Sequence, residues 1–443
     1  MRCALLCGSN TQSAMANRSR ALTDVRKKTL KNGLVVASEV MPDVRSVSIG
    51  VWLRCGSRFE SADFGGISHF IEHLLFKGTK SRTAARIAEA IDSVGGQLDA
   101  FTDKEYVGFY ARVLDEHLPM AFELLSDIVL NPTFPSAEIE RERNVIFEEI
   151  STVEDSPQEL IHDIYLEHFW HGHPLGRPIS GTRESVARIA RNHVRGYFRN
   201  AYHAAANTVI SVAGNIRHGQ VHALAARYFS DLPQGTASDP GAAPVPRSAL
   251  AIRYKNNLEQ THLCVGVPCP SRISEDRFCV HVLCNILGGG MSSRLFQNIR
   301  EKRGLVYAID SILSLYRDAG TLVVAAATAP QNAATVVRLI LKELKRLRDE
   351  PVSADELDRA KECLKGSLML SLESTSSRMT YLAQQQIDFG RFFTLEDILG
   401  RIDQVRRADV RRLAGRIFSE GVLTLAALGN RNGSSLESLA LRI

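Results

Sequence analysis

The sequence predicts an α+β fold, built as two homologous α/β-sandwich domains with antiparallel-rich sheets and helices. Three observations indicate this. The chain has 443 residues, which exceeds the roughly 100–200 residues of one domain. A stretch rich in proline, glycine, alanine and serine, residues 231–250, divides it into nearly equal halves. Segments of the first half also have counterparts in the second half.

The first half opens with two strand-like segments. They read "TLKNGLVVASEV" at residues 29–40 and "SVSIGVWLRCGS" at residues 46–57. Both are rich in β-branched residues, and Pro42 and Asp43 between them favour a turn. Helical patterns follow these strands, so the first half contains both kinds of element.

The domain bounds follow from these patterns. We expect a first domain at residues 27–232, a linker at 233–249 and a second domain at 250–443. Residues 1–26 are expected to be a disordered extension. An organelle-targeting segment, or a true start at Met15, is the alternative for this extension.

The two halves contain similar segments. "FPSAEIERERNVIFEEI" at residues 134–150 aligns with "PVSADELDRAKECLKGSL" at residues 351–368, with one inserted residue. Both have Ser-Ala-acid at the expected helix start, where a serine cap and early carboxylates are favourable. "VSIGVWLRCGSR" and "THLCVGVPCPSR" are both strand-like and both end in Ser-Arg. Duplication of one α+β unit explains these matches.

The composition excludes several classes of protein. With 44% hydrophobic and 23% charged residues, the chain has no apolar run near the roughly 18 residues of a membrane span. The 54 basic and 49 acidic residues are spread evenly, so nucleic acid is not an expected partner. The eight cysteines form no C-x-x-C pair, which favours reduced thiols in a cytosol-like compartment. They are Cys3, Cys7, Cys55, Cys264, Cys269, Cys279, Cys284 and Cys363.

The segment "HFIEHLLFKGT", residues 69–79, contains three metal-site residues in an apolar context. On a helix, His69 and His73 project from one face about one turn apart, a spacing that allows both imidazoles to bind one zinc ion. Glu72 lies beside that face and could act as the base for a zinc-bound water. Since a catalytic zinc needs three protein ligands, one ligand must come from elsewhere.

Two carboxylates in "NVIFEEI" and just before it could supply that ligand. Glu142 and Glu149 are two helical turns apart on one face, and the aligned second half has Ala360 and Ser367 at these positions. One of the two could bind zinc while the other supports a ligand histidine through its second ring nitrogen. The first domain is therefore the predicted zinc-binding domain, and the second domain lacks these ligands.

The chain resembles the pitrilysin/insulinase family of zinc peptidases, and within it the processing-peptidase branch. The resemblance rests on blocks in the family order: "GGISHFIEHLLFKGT", "GGQLDAFTDKEYVGFYARV", "NVIFEEI", "HPLGRPISGT" and "ILGGGMSSRLFQNIREKRGLVY". It implies His69, His73 and Glu149 as ligands of one Zn²⁺ per chain, Glu72 as general base and Glu142 as support. It also implies that the two domains form a half-clamshell.

The resemblance implies further site residues. Arg300 and Tyr307 in "REKRGLVY" would donate hydrogen bonds to the oxyanion. Phe76 would line the pocket that follows the scissile bond, although it could equally belong to the core.

Substrate binding is predicted at a hairpin and at an acidic pair. "GGQLDAFTDKEYVGFYARV" is typical of an edge hairpin to which an extended peptide could add as a strand. Its substrate-binding residues would be Asp99, Ala100 and Phe101, where family members usually have Asn-Ala at the first two positions. Glu159 and Asp163, one helical turn apart, match a pocket for an arginine two residues before the cut. A solvated acidic face is the alternative for this pair.

Three functions are compatible with these features. The first is an active metalloendopeptidase that cleaves peptides or presequence-like segments in a closed chamber, as a homodimer or with a related subunit. The second is a noncatalytic core or scaffold subunit of a larger complex. The third is a maturation protease for a peptide-derived cofactor. A bacterial cytoplasm is the expected location, with the mitochondrial matrix as the alternative.

Overall fold

A computed structural model describes residues 24–419, 423–430 and 436–438. It contains two sheets, each packed against helices, which confirms the predicted α+β architecture. The strands are β1 (Asp24–Thr29), β2 (Val35–Val40), β3 (Ser46–Leu53), β4 (Gln97–Thr102), β5 (Val107–Leu114), β6 (Thr208–Gly214), β7 (Ala249–Tyr254), β8 (Thr261–Pro268), β9 (Val306–Leu315), β10 (Gly320–Thr328) and β11 (Thr424–Gly429).

Helices surround both sheets. The α-helices within the described residues are α1 (Ile67–Leu75), α2 (Ala84–Asp92), α3 (Leu118–Leu130), α4 (Ser136–Asp155), α5 (Pro157–Phe169), α6 (Arg183–Arg188), α7 (Arg191–Tyr197), α8 (His218–Phe229), α9 (Arg277–Gly288), α10 (Ala333–Asp349), α11 (Ala354–Ser371), α12 (Thr375–Phe389), α13 (Leu395–Asp403) and α14 (Arg407–Ile417). No helix in the described ranges is both long and apolar enough to cross a bilayer.

The strand orders of the two sheets support the predicted duplication. The first sheet runs β1-β2-β6-β3-β5-β4 and the second runs β7-β11-β8-β10-β9. Each contains one parallel pair, β2 with β6 and β7 with β11, while the other neighbours are antiparallel. Apart from β1, every strand of the first sheet therefore has a counterpart at the same position in the second.

The last three residues of the predicted disordered extension, 24–26, belong to the first strand instead. Strand β1 begins at Asp24, three residues before the expected start at Lys27, because its pairing with β2 already includes Asp24 opposite Val40. Residues 1–23 lie outside the described residues. Residues 233–248, most of the predicted linker, contain neither helix nor strand. The other domain bounds stay predictions.

Each sheet has two apolar faces, and the two faces pack against helices from different halves. On the first sheet, Ile49 and Val51 face the large core of the first half, while Trp52 faces Met379 and Ala383 of α12. Alternate residues of a strand point to opposite faces, so the second half supplies the cover for one face.

The first half in turn supplies a helix that covers one face of the second sheet. Helix α5, from the first half, packs on the second sheet, where Tyr165 lies beside Cys264 and Ala426. Gly266 makes room for it, because a Cβ there would lie 2.1 Å from the Tyr165 hydroxyl. The Tyr165 hydroxyl also lies 2.6 Å from Thr321 Oγ1. Each half therefore contributes one helix to the sandwich of the other half.

A buried ionic cluster joins the two halves. The Arg58 side chain is fully buried and contacts Glu105 at 2.8 Å and Asp318 of the second half at 2.6 Å. Arg272 lies 3.6 Å from Glu105 and 3.2 Å from Asp388. Arg58 and Arg272 are the arginines of the two matching Ser-Arg segments. Each half of the chain therefore contributes one of these equivalent arginines to the cluster.

The cysteines agree with the prediction of reduced thiols. All six within the described residues, from Cys55 to Cys363, are free. Cys3 and Cys7 lie outside those residues.

Candidate metal centre and peptide cleft

Helix α1 carries the motif histidines, and its first turn is held by a buried carboxylate. Glu60 accepts hydrogen bonds from the amides of Gly66 at 2.7 Å and Ser68 at 2.8 Å, so it satisfies amides that have no partner within the helix. Burial raises the pKa of Glu60 to about 7, against the opposing effect of these amides. Gly66 has a φ of +93°, and a Cβ there would lie 2.5 Å from the Ser180 carbonyl oxygen.

Three side chains converge as a candidate ligand set. His69 and His73 project from α1 with their ring centroids 4.7 Å apart. Glu149 on α4 lies 3.6 Å from Nε2 of each histidine. Zinc ligands about 2.0–2.2 Å from a tetrahedral ion are about 3.3–3.6 Å from one another. The spacing of these three groups therefore fits a zinc ion.

Glu142 occupies a different position on α4. It is buried and lies 3.1 Å from Nδ1 of His73, on the side of the ring away from Glu149. Lys77 lies 2.8 Å from its other oxygen. This geometry supports Glu149 as the third ligand and Glu142 as the group that orients His73, the distinction that the residue spacing alone left open.

The surroundings of His69 favour the neutral imidazole that binds metals. Burial and, as the smaller effect, the neighbouring His73 together lower the pKa of His69 to about 4. Its Nδ1 is buried and has no hydrogen-bond partner among the described residues. A neutral ring with Nε2 facing Glu149 suits metal ligation.

Glu72 lies in the same cleft and contacts the predicted edge hairpin. Its Oε2 accepts a hydrogen bond from Thr102 Oγ1 at 2.6 Å. Burial raises the pKa of Glu72, which the Thr102 hydrogen bond partly offsets. A raised pKa suits a carboxylate that takes up a proton near neutral pH. The sequence did not indicate Thr102, since it is 30 residues away and reaches Glu72 only because β4 crosses beside α1.

The cleft has a volume of about 510 Å³. It brings together two of the three candidate metal ligands, His69 and Glu149, with several predicted substrate-binding residues. Its lining residues are His69, Glu72, Ala100, Phe101, Thr102, Lys104, Glu149, Val153, Glu159, Asp163, Leu166, Ile179 and Ser180. Strand β4 is at the edge of the first sheet, as the hairpin interpretation predicted.

Two predicted residues lie elsewhere. Asp99 does not line the cleft, and its carboxylate accepts hydrogen bonds from the Ala100 amide at 2.8 Å and the Tyr110 hydroxyl at 3.1 Å. Phe76 packs beside Phe109 against the core of the first half, because α1 ends there and its last residues turn inward. Of the two interpretations of Phe76, the structure favours the core.

The acidic pair has a basic neighbour that the sequence did not indicate. Glu159 and Asp163 both line the cleft, and Lys104 lines it with them. Burial raises the pKa of Asp163, while Lys104 lowers it and Glu159 raises it. Lys104 is buried and donates a hydrogen bond to the Arg177 carbonyl. Besides metal ligands, the cleft lining thus contains three acidic groups, Glu72, Glu159 and Asp163, and one basic group, Lys104.

Arg300 and Tyr307 lie next to each other but outside this cleft. The Arg300 guanidinium is 5.6 Å from the Tyr307 ring centroid, and Tyr307 is 81% exposed on the edge strand β9. All lining residues of the metal cleft belong to the first half. The structure therefore does not bring this predicted pair to the metal centre, because Tyr307 lies on the edge strand of the other sheet and Arg300 lies in the helical turn before that strand.

Family models match both halves of the chain. Residues 35–183 match the model described as "Insulinase (Peptidase family M16)". Residues 188–364 match the model described as "Peptidase M16 inactive domain". The first match contains every candidate metal-site residue, and the second covers most of the half that lacks them.

Several proteins resemble this chain over most of its length. An uncharacterized zinc protease of Mycobacterium leprae is 40% identical over 401 residues, 89% of this chain and 90% of the relative. The uncharacterized zinc protease YmxG of Bacillus subtilis is 39% identical over 396 residues, 89% of this chain and 96% of the relative.

Solved structures share the fold. A peptidase M16 inactive domain from Pseudomonas fluorescens superposes with a TM-score of 0.87 at 21% identity, covering 93% of this chain and all of that one. A protease from Helicobacter pylori gives 0.85 at 22% identity, covering 92% of this chain and all of that one.

Proposed function

This chain belongs to the insulinase family, peptidase family M16, and on that premise we propose that it is a zinc metalloendopeptidase with an inverted H-x-x-E-H motif. The observation that carries the proposal is the convergence of His69, His73 and Glu149 beside Glu72 in a cleft whose rim is an edge strand. One Zn²⁺ per chain fits this ligand set. The relatives named as zinc proteases support the same activity.

The residues of the cleft have separate roles in the proposed hydrolysis. Zinc at this position would polarise a peptide carbonyl and acidify water. The Glu72 carboxylate removes the proton from the attacking water and later returns it to the leaving amine. Thr102 holds Glu72 in place through its hydrogen bond, and Glu142 holds the ring of His73.

An extended peptide is the proposed substrate form. The free edge of β4 can pair with a peptide backbone, and Ala100 and Phe101 from that strand line the cleft. This mode depends little on sequence, as expected for an enzyme that acts on peptides or presequence-like segments. The Ala100 amide already bonds Asp99, so we propose that pairing uses neighbouring positions of the strand.

We further propose that the metal cleft is closed by the second half of the chain or by a partner subunit. Arg300 and Tyr307 would reach the oxyanion only if the second half, or a second copy, closed over the cleft to form a chamber. A homodimer, or a dimer with a related subunit, would provide such a chamber. A bacterial cytoplasm is the proposed location, which agrees with the bacterial sources of the relatives.

The two alternatives from the sequence make different predictions. A noncatalytic scaffold subunit would have no need for the intact set of Glu72, Glu142 and Glu149, so these residues argue against it. A maturation protease for a peptide-derived cofactor would share the site and differ only in substrate.

Metal removal tests the proposed activity. The zinc-loaded full-length chain is expected to contain one zinc by elemental analysis and to cleave a quenched peptide with arginine two residues before the cut. Chelation should abolish cleavage, because His69, His73 and Glu149 cannot activate water without the zinc ion that they bind. Addition of one equivalent of zinc should restore cleavage. Zinc binding without cleavage of any member of a peptide library would favour the scaffold alternative.

The acidic pair provides a test of arginine selectivity. Glu159→Gln combined with Asp163→Asn is expected to raise KM for the arginine peptide by about 10–100-fold, since charge-assisted hydrogen bonds are lost. Cleavage of a matched leucine peptide should change little. Glu167→Gln, an exposed position on the same helix, is the control. Equal effects on both peptides would instead identify the pair as a solvated acidic face.

A further inference from the structure

The second half contains a cavity of about 500 Å³ among α9, α11, α12 and α13. Its position corresponds to that of the metal cleft. Helix α9 is the first α-helix after the second Ser-Arg segment, as α1 is after the first, and α11 aligns with α4. Ser367, which aligns with Glu149, lines this cavity. The duplication has thus kept a ligand-sized space here without the carboxylate ligand.

The interior of this cavity is mainly apolar. Side chains from all four helices form its wall, including Phe278, Leu364, Leu368, Phe389 and Ile398. The apolar part of this wall favours an aliphatic or aromatic group. Its volume lies within the range of about 300–1,000 Å³ that is usual for small-molecule sites.

One cationic group in the wall lacks an anionic partner. Arg277 is only 9% exposed, and no carboxylate of the described residues lies within 4 Å of its guanidinium nitrogens. Its Nη1 donates a hydrogen bond to the Ser274 carbonyl at 2.9 Å. The guanidinium lies 4.4 Å from the ring centroid of Phe278 and 5.0 Å from that of Phe389. Aromatic rings stabilise the cation without neutralising it.

A second donor lies in the same wall. The hydroxyl of Tyr381 is buried and has no hydrogen-bond partner among the described residues. Burial raises the pKa of Tyr381 to about 12, so the hydroxyl keeps its proton and can donate it. A buried donor without a partner is costly unless a ligand satisfies it.

The anionic group in the wall is already neutralised. Asp388 lies 3.2 Å from Arg272, which also contacts Glu105 of the ionic cluster. Arg391 lies 4.7 Å and Arg401 lies 6.0 Å from the ring centroid of Phe393, which lines the cavity. Arg401 pairs with Glu275 at 3.0 Å. The cavity thus combines an apolar interior with unneutralised positive charge.

We propose that this cavity binds an amphiphilic anion, a carboxylate carried on an apolar chain. The carboxylate accepts hydrogen bonds from Arg277 and Tyr381, and the chain fills the space beside Leu364 and Leu368. The site is independent of the proposed peptidase activity. Since α12 forms one wall and also covers the first sheet, an occupant would contact the helix that joins the two halves.

Calorimetry with decanoate and 1-decanol tests the recognition of the anion. The zinc-loaded full-length chain is expected to bind one decanoate more tightly than the alcohol. Arg277→Gln should weaken decanoate binding by about tenfold or more, and Tyr381→Phe by several-fold, with little change for the alcohol. Arg411→Gln, which removes an exposed arginine from α14, is the charge control. Equal affinity for acid and alcohol, or no binding, would overturn the proposal.

Cross-linking establishes where the anion binds. A decanoate analogue with a photoreactive diazirine is expected to label peptides from residues 364–402, and excess decanoate should prevent the labelling. Leu364→Trp, which fills the cavity, should abolish it. Labelling confined to the metal cleft would contradict the proposal. The thermal unfolding temperature of Leu364→Trp shows whether its lost labelling reflects lost binding or lost folding, and Tyr381→Phe, which removes only one hydroxyl, should weaken labelling without lowering that temperature.

Discussion

Replacing Glu72 with glutamine is expected to lower kcat by about 10²–10⁴-fold while one zinc stays bound per chain. The amide cannot take up a proton, but it matches the carboxylate in size and can still accept the Thr102 hydrogen bond. Since Glu72 is not among the converging ligand atoms, metal content should not change. Parallel measurement of peptide cleavage and zinc stoichiometry checks both parts.

Glu149→Gln is the matched control for this substitution. It makes the same chemical change at a predicted ligand, so it should lose zinc as well as activity. Glu148→Gln, at the adjacent exposed position, should lose neither. If Glu72→Gln kept near-normal kcat, another group would have to act as the base, and the proposed mechanism would be wrong.

Replacing Arg58 with methionine is expected to lower the free energy of unfolding by about 3–5 kcal/mol. Methionine roughly fills the space, but it leaves Glu105 and Asp318 close together without the guanidinium that contacts both. The Arg58 side chain is fully buried, so solvent cannot replace that contact. Trp52 and Trp170 lie in the two exchanged-helix clusters, so fluorescence during urea unfolding reports on both sheets.

An exposed arginine provides the comparison. Arg86, 74% exposed, pairs with Glu89 on α2 at 2.9 Å, and Arg86→Met should change stability by less than about 1 kcal/mol. A loss at Arg58 no larger than at Arg86 would show that the cluster does not hold the halves together.

The pH dependence of stability should change in the same variant. Burial raises the pKa of Asp318, but the Arg58 guanidinium outweighs it and holds the pKa below the usual value. The stabilising charge is therefore present at neutral pH and is lost as the pH falls through the depressed pKa. Urea unfolding across this acidic range should show a smaller dependence on pH in Arg58→Met than in the wild type.

Local patterns predicted the strands and the duplication, but not the exchange of helices. The strand around Trp52 is buried on both faces in the structure, and its local sequence predicted only that it is a strand. Such local patterns do not identify the helix that covers each face. The helix that covers the Trp52 face lies in the other half of the chain, so only the tertiary fold determines that Met379 lies on Trp52.

The candidate site likewise contains residues that local sequence patterns predicted and residues that they did not. Helical periodicity was enough to bring His69 and His73 together and to place Glu149 two turns from Glu142. Thr102 and Lys104 were not indicated, because a hairpin residue beside a helix leaves no periodic signal. Phe76 and Asp99 were assigned to substrate binding by resemblance, and their neighbours in this chain place them in the core and on the outer side of the hairpin.

The exchanged helices limit how such a chain could have originated. A single copy of the repeated unit would have had one sheet face exposed and one apolar helix without a sheet to cover. Two identical copies could each have covered the other's sheet, as a symmetric domain-swapped dimer. Fusion of two such genes would preserve this arrangement within one polypeptide. It would also allow one copy to lose its metal ligands, since the pair would then need only one reactive centre.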